Sequence, residues 1–246
     1  MSYTIEGKTV LVTGANRGIG EAFVKALVAQ GAKRIYAAGR NLENLAPLVN
    51  FAPEVIVPVQ LDVTNANDIA NTAKLIDELD ILINNAGIAT GSTFSGEASL
   101  SIAVNEMATN YFGPINLTHA LLPVLHKSSG AAVINISSIA GISNFPVLGP
   151  YSASKAAVHS FTQGLRAELR KANIAVVGVY PGPVDTDMTK DFESDKAAPA
   201  DVAATILAGL ENGVEDVFPD AFSQQMYQVF TANPKQLEQQ FAAVMG

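Results

Sequence analysis

A phenol and an ammonium four residues apart are the first chemistry visible in this chain. Tyr151 and Lys155 close the run Tyr151-Ser152-Ala153-Ser154-Lys155, and if that run is helical the two side chains stack on one face. Such a pair suits acid-base work. A free tyrosine titrates near ~10, so exchanging a proton near neutrality asks for a downward shift of roughly 3 units, about 4 kcal/mol. A neighbouring cation is expected to supply part of that shift. Two serines, Ser137 and Ser138, end an apolar run a little earlier in the chain. A lone Tyr-x-x-x-Lys is more often an ordinary surface helix, so the pair gains meaning from the elements around it.

Apolar runs at Thr9 to Val12, Arg34 to Ala38, Val55 to Val59, Ile81 to Ile83, Ala132 to Ile136 and Ala175 to Val179 alternate with helical spacing near 20–30, 66–78, 99–126, 151–171 and 200–211. Runs that are apolar throughout, rather than at every second residue, predict strands buried on both faces of a parallel sheet. The expected architecture is therefore α/β, a doubly wound parallel sheet with helices on both faces, in a single domain over 1–246. The charged stretch 185–198 comes late and does not divide the unit. The tail 219–246 is amphipathic, with Asn233-Pro234 as a break, and predicts helices packed at an edge.

Composition removes several function classes. The chain has no cysteine and its three histidines, His119, His126 and His159, show no metal-type pairing. Disulfides and thiolate metal sites are thereby excluded, no metal is expected, and a reducing, cytoplasmic compartment is the expectation. A net charge of −8 argues against a nucleic-acid or anionic-membrane surface. The N-terminus from Met1 to Lys8 has no long apolar region of a secretory leader. Between Lys127 and Lys155 no charge occurs, but polar residues, Gly141 and two prolines interrupt the span, so no membrane helix is expected.

At the first predicted strand-helix junction stands Thr13-Gly14-Ala15-Asn16-Arg17-Gly18-Ile19-Gly20. Glycines there let the backbone turn tightly, approach a pyrophosphate and pack the next helix against the sheet, whose N-terminus then faces the phosphates. The spacing is Gly-x-x-x-Gly-x-Gly. Further along come Leu61-Asp62-Val63, Asn84-Asn85-Ala86-Gly87, Asn110, Ser138, Tyr151 to Lys155, and Pro181-Gly182 followed by Thr186. In this order, over nearly the whole chain, the motifs resemble those of the short-chain dehydrogenase/reductase family.

The resemblance implies a Rossmann-type sheet of about seven strands and a dinucleotide cofactor. Gly14, Asn16, Arg17, Gly18, Ile19 and Gly20 would form its phosphate turn. Asp62 and Val63 would lie under the adenine, and Asn85, Ala86 and Gly87 would support the nucleotide floor. Pro181, Gly182, Val184 and Thr186 would line the nicotinamide side. The thirteen positions between Ser138 and Tyr151 match the family's usual separation and favour Ser138 over Ser137. By the same resemblance Tyr151 protonates a carbonyl oxygen that Ser138 orients, Lys155 bonds the nicotinamide ribose and lowers the tyrosine pKa, and Asn110 holds a water of the proton relay.

Cofactor choice turns on the end of the second strand, where an acidic residue would bind the ribose hydroxyls of NAD. Here that place is Gly39, followed by Arg40, while Arg17 sits inside the glycine turn. Two guanidinium groups suit a 2′-phosphate, which makes NADP(H) the expected cofactor.

The expected function is NADPH-dependent reduction of a ketone or aldehyde, reversible in principle. One alternative is reduction of β-ketoacyl thioesters, for which Lys127, Arg166, Arg170 and Lys171 would offer a basic landing surface that the overall acidity opposes. Another is a non-catalytic NADP-sensing protein, which would have no need of the Ser, Tyr and Lys present here. Residues 185–198 would be a short, acidic substrate lid, with Ile88, Ile139, Phe145, Val147, Leu148 and Met188 around a modest apolar cavity. In this family the helices matching 99–126 and 151–171 pair between subunits, so a homodimer or homotetramer is expected.

Overall fold

The computed structural model describes residues 3–246; Met1 and Ser2, at the start of the segment read above as lacking a leader, lie outside them. Strands β1 (Thr9–Thr13), β2 (Arg34–Gly39), β3 (Ile56–Gln60), β4 (Ile81–Asn84), β5 (Ala132–Ile136), β6 (Ala175–Val179) and β7 (Asp216–Val217) form one sheet in the order β3-β2-β1-β4-β5-β6-β7. Every neighbouring pair is parallel. The helices are α1 (Gly18–Ala29), α2 (Ala46–Phe51), α3 (Ala66–Leu75), α4 (Ser99–Met107), α5 (Gly113–Leu125), α6 (Gly149–Leu169), α7 (Pro199–Glu211), α8 (Ala221–Ala232) and α9 (Pro234–Ala242).

The strands read as unbroken apolar runs because both faces of the sheet are covered. In β1, Val10 and Val12 point into a cluster with Phe23 and Leu27 of α1 and Val202 and Ile206 of α7. Leu11, between them, points the other way, toward Ile69 of α3, Leu117 and Leu121 of α5 and Leu165 of α6. Pro58 interrupts β3 at little cost, since β3 is an outer strand and has one neighbour.

Three features escape the apolar pattern. β7 is too short to form a run, and α2, with the 3₁₀ turn Leu42–Leu45 before it, lies in a stretch the periodicity leaves as loop. The helix expected over 99–126 is broken: α4 passes into a π-helical turn, Ala108–Phe112, before α5 begins. Pro114 gives the reason. It has no N–H, so the carbonyl of Asn110 lacks its usual i+4 donor and the chain re-registers, Gly113 N bonding Ala108 O instead.

The tail forms two helices that part at Asn233, whose side chain accepts from the backbone N–H groups of Lys235 and Gln236 and so starts α9. Leu237 and Phe241 of α9 pack with Ile139, just beyond β5, so the tail covers the strand ends. Among the described residues no helix is long and apolar enough to cross a membrane.

Candidate active site

The strand order reverses between β1 and β4, and the C-terminal ends of β1, β4, β5 and β6 converge there. Such a crevice is where open α/β sheets bind ligands. Ser137 and Ser138 follow β5 and turn apart. Ser137 Oγ is buried and donates to the carbonyl of Lys155 at 2.8 Å, which fixes it as a tie to α6. Ser138 instead caps the 3₁₀ turn Ile139–Gly141, accepting from Ala140 N at 3.1 Å, and reaches Pro181 O only at 3.4 Å. Its hydroxyl also lies beside Tyr151 and acts to lower that phenol's pKa.

Helix α6 carries Tyr151 and Lys155 in its first two turns, with Pro150 at its start. A buried amide-hydroxyl ladder holds it to the sheet. Asn84 Nδ2 donates to Asn135 Oδ1 at 2.8 Å and to Thr118 Oγ1 at 3.0 Å, and Asn135 Nδ2 donates to Thr162 Oγ1 of α6 at 3.0 Å. Polar groups buried in this way are costly unless all are paired, so the ladder admits one registration of helix on sheet.

Lys155 is buried, its Nζ donating to Ile136 O at 2.8 Å and standing 5.7 Å from the centre of the Tyr151 ring. Desolvation brings its pKa down to about 8. Tyr151 does not behave as the sequence predicts. Its pKa is pushed up to about 12, first by desolvation, with the Glu106 carboxylate adding to the rise and the Ser138 hydroxyl opposing it. Lys155 faces the ring and not the hydroxyl at close range, and the burial that surrounds the phenol, with the Glu106 charge, disfavours the phenolate more than the Ser138 hydroxyl favours it.

Asn110, in the π-helical turn, is buried and its side chain is engaged. Oδ1 accepts from Ile88 N at 2.8 Å, while Nδ2 donates to Ile88 O and to Ser154 Oγ, both at 2.9 Å. The side chain therefore clasps the segment after β4, and Pro114 withholds the usual i+4 donor from the Asn110 backbone carbonyl. One helical turn earlier Glu106 repeats the clasp, its Oε1 accepting from Thr90 N at 2.7 Å. Burial raises the Glu106 pKa, and its Oε2 is sealed from solvent without a partner.

The glycine turn is tailored to its neighbours. Gly14 has φ of +63°, and a Cβ on Gly20 would stand 2.1 Å from Gly14 O, so α1 can close onto the turn only with glycine there. From behind, Thr13 Oγ1 accepts from Asn85 N and Ala86 N at 2.9 and 3.0 Å, and Asn85 Nδ2 donates to Thr13 O at 2.8 Å. Gly87 lies between Asn110 and Lys155, so close that a Cβ would be 3.2 Å from Asn110 Oδ1 and 3.4 Å from Lys155 Nζ. Asn16 reaches toward Gly39. The N-cap of α1, Arg17, makes no side-chain cap, and the nearby acid Glu21 is paired with Lys25 at 2.6 Å. An uncapped helix N-terminus behind a glycine turn fits a pyrophosphate.

The two arginines behave differently. Arg17 Nη1 pairs with Asp187 at 2.8 Å, both side chains being well exposed. Arg40 stands near Asp62, whose carboxyl is held below the usual range by the Thr64 hydroxyl, with Arg40 contributing. Val63 is buried against Gly113. Across the cleft, Ile139 N donates to Pro181 O at 3.0 Å and Thr186 packs against Gly18. A bridge between Val184 and Ala197 closes the base of the loop that the sequence reads as a lid. Of the expected cavity residues, Ile139 is core instead, buried under α9, Phe145 packs edge-on to Phe241 at 5.3 Å, and Met188 is exposed.

Thr13, Glu106 and Asp220 were not among the sequence candidates. Asp220 accepts from Gly182 N at 2.8 Å, a contact spanning 38 residues. Asp220-x-x-Ser223 ahead of an amphipathic run is a helix-start signal, but nothing in it names Gly182 as a partner.

The family model described as short chain dehydrogenase matches residues 8–197. An uncharacterized oxidoreductase of Staphylococcus aureus (strain USA300) is 36% identical over 211 residues, covering 82% of this chain and 90% of its own. A Burkholderia cenocepacia J2315 short chain dehydrogenase, solved in complex with NADP, superposes with a TM-score of 0.91 at 36% identity over 97% of this chain and 99% of that one. The NADPH-bound carbonyl reductase from chicken fatty liver gives a TM-score of 0.78 at 33% identity over 84% and 92%. With its single sheet of seven parallel strands in agreement with these structures, the chain belongs to the short-chain dehydrogenase/reductase family of oxidoreductases.

Proposed function

We propose that this protein is an NADPH-dependent reductase of ketones or aldehydes, able to run in reverse as a secondary alcohol dehydrogenase. One observation carries the reading: a phenol that holds its proton stands beside Ser138 and a buried Lys155 at the switch point of the sheet. Tyr151 carries its proton at neutral pH, but a pKa near 12 makes it a weak acid, so the reading rests on the placement of Ser138 and Lys155 around it and not on a tuned phenol.

The residues divide the work by position. Ser138 donates to the carbonyl oxygen and orients it, and Tyr151 delivers its proton to that oxygen. Lys155 has one N–H on Ile136 and two more for the nicotinamide ribose. The Asn110 carbonyl holds the water that returns the proton. Gly14, Asn16, Gly18, Ile19 and Gly20 take the pyrophosphate, and Arg17 and Arg40 the 2′-phosphate. Asp62 and Val63 border the adenine, Asn85 to Gly87 form the floor, and Pro181, Gly182, Val184 and Thr186 line the nicotinamide. A bound reduced nicotinamide supplies the hydride. The NADP complex of the Burkholderia relative and the NADPH complex of the chicken reductase support the cofactor assignment.

Oxidation of NADPH, in parallel with NADH, over small ketones, aryl ketones, ketoesters and acyl thioesters tests this reading. Turnover of simple carbonyls with a preference for NADPH is expected. Tight NADPH binding with no turnover would favour a sensor, and turnover of thioesters alone a ketoacyl reductase.

The reading extends to the whole chain as one cytoplasmic folding unit, with residues 185–198 as lid. It also includes a homodimer or homotetramer, supported by the exposed stripe Leu100, Val104 and Phe112 along α4 and the π-helical turn. Light scattering that finds only monomer would refute the assembly.

A further inference from the structure

The family match ends at residue 197, yet a buried carboxylate beyond it is bonded into the loop that carries Pro181 and Gly182. Asp220 is 8% exposed and uses its two oxygens for different tasks. Oδ1 accepts from Ser223 N at 2.8 Å, and the Ser223 hydroxyl reaches back to the Asp220 backbone, which completes a capping box at the start of α8. Oδ2 accepts from Gly182 N at 2.8 Å. The fit around Gly182 is close: a Cβ there would lie 2.7 Å from Phe222 Cδ1 and 2.8 Å from Asp220 Oδ1.

The loop so held touches the catalytic serine. Pro181 O, one residue before Gly182, accepts from Ile139 N at 3.0 Å and from Ser138 Oγ at 3.4 Å. Asp220, Gly182, Pro181 and Ser138 therefore form a continuous line from the C-terminal helices to the reaction centre. On the far side α9 seals the same turn, with Leu237 and Phe241 packed on Ile139.

We infer that Asp220 is a positioning residue that sets the nicotinamide-side loop through Gly182, so that the C-terminal extension forms part of the cofactor site. This rests on the NADPH reading above. A carboxylate suits the task because it accepts two backbone N–H groups at once, one from its own helix and one from the loop.

The test separates capping from loop positioning. Asp220→Ser keeps a good helix cap but is too short for Gly182, whereas Ser223→Ala removes the reciprocal cap bond and leaves the Gly182 bond intact. Dissociation constants for NADPH, from nicotinamide fluorescence, are compared with those for 2′-phospho-ADP-ribose, which lacks the nicotinamide ring. Asp220→Ser is expected to weaken NADPH about tenfold, the scale of one bond to a charged group, with the fragment unchanged. Ser223→Ala should leave both constants as in wild type. Asp220→Asn, which presents only one acceptor oxygen, should follow Asp220→Ser and serves if the serine variant does not fold.

Equal weakening of NADPH and the fragment, unchanged NADPH binding, or the same selective loss in Ser223→Ala would each overturn the inference. Wild-type protein that binds neither ligand would refute the functional reading first, and this inference with it.

Discussion

At the end of the cleft where Ser138, Tyr151 and Lys155 meet, the supporting groups are buried and bonded: Asn110 to Ile88, Ser137 to Lys155, Asn84 to Asn135. At the other end Arg17 and Asp187 face each other in solvent, and Arg40 is exposed. The first end is built from short contacts that admit one geometry. The second is built from charges on flexible stems, whose attraction water and salt weaken. Changes at the reaction end should therefore abolish a step, and changes at the adenosine end should shift an affinity.

The largest expected departure, short of the acid itself, is at Lys155. Its methionine variant should lose most turnover, about 100-fold or more if the lysine is part of the acid-base unit, yet become more stable. Holding the ammonium against a fall in pKa from 10.5 to about 8 costs roughly 3 kcal/mol at neutral pH, offset by about 1 kcal/mol for the lost bond to Ile136 O. The sign follows from linkage: a depressed lysine pKa means the unfolded chain binds more protons, so wild-type stability gains from this group as pH rises from about 8 toward 10.5. Lys155→Met should melt higher at neutral pH and lack that gain. Lower stability at every pH would show that the charge is not the costly element.

pH probes the same end in the intact enzyme. Below about 8 both Lys155 and Tyr151 keep their protons, so reduction should hold from mildly acidic pH to about 8 and decline as Lys155 discharges. A rate that climbs through that value would contradict the assignment.

The adenosine end should respond more weakly. Arg17→Ala with Arg40→Ala is expected to raise the NADPH Michaelis constant about 10- to 100-fold, the range for losing bonds to a phosphate, with little change for NADH. Equal effects on both cofactors would remove the 2′-phosphate argument. Smallest is Asp187→Asn. In the structure Asp187 holds Arg17, and releasing it should tighten NADPH about two- to fivefold, the worth of an exposed ion pair. Weaker binding would mean that the pair presents Arg17 to the phosphate instead of withholding it.

The same contrast explains what was legible in the sequence. Strands buried on both faces announce themselves as apolar runs, and the glycine turn and Tyr151 to Lys155 are local patterns whose geometry follows from helix and turn rules. The preference for Ser138 over Ser137 rests on the separation the family resemblance implies, and what the string does not show is that the Ser137 hydroxyl is tied to Lys155 O. Contacts between distant residues left no such mark: Arg17 meets Asp187 across 170 positions, and Asp220 meets Gly182 across 38. The direction of the Tyr151 shift was also hidden, because burial of the hydroxyl is a property of the packed site, whereas the neighbouring lysine is visible in the string. At Asn110 the string shows only a polar residue in a helical run, whereas the fold shows its amide engaged with Ile88 and Ser154 and its carbonyl deprived of the i+4 donor by Pro114.

The most direct measurement is the turnover and NADPH affinity of Tyr151→Phe, using a carbonyl substrate found in the screen. Removing the hydroxyl should leave NADPH binding within about twofold and lower kcat by about 100- to 10,000-fold, the range for a lost general acid. Substantial residual turnover with unchanged cofactor binding would show that another group delivers the proton, and the account of this site would fail.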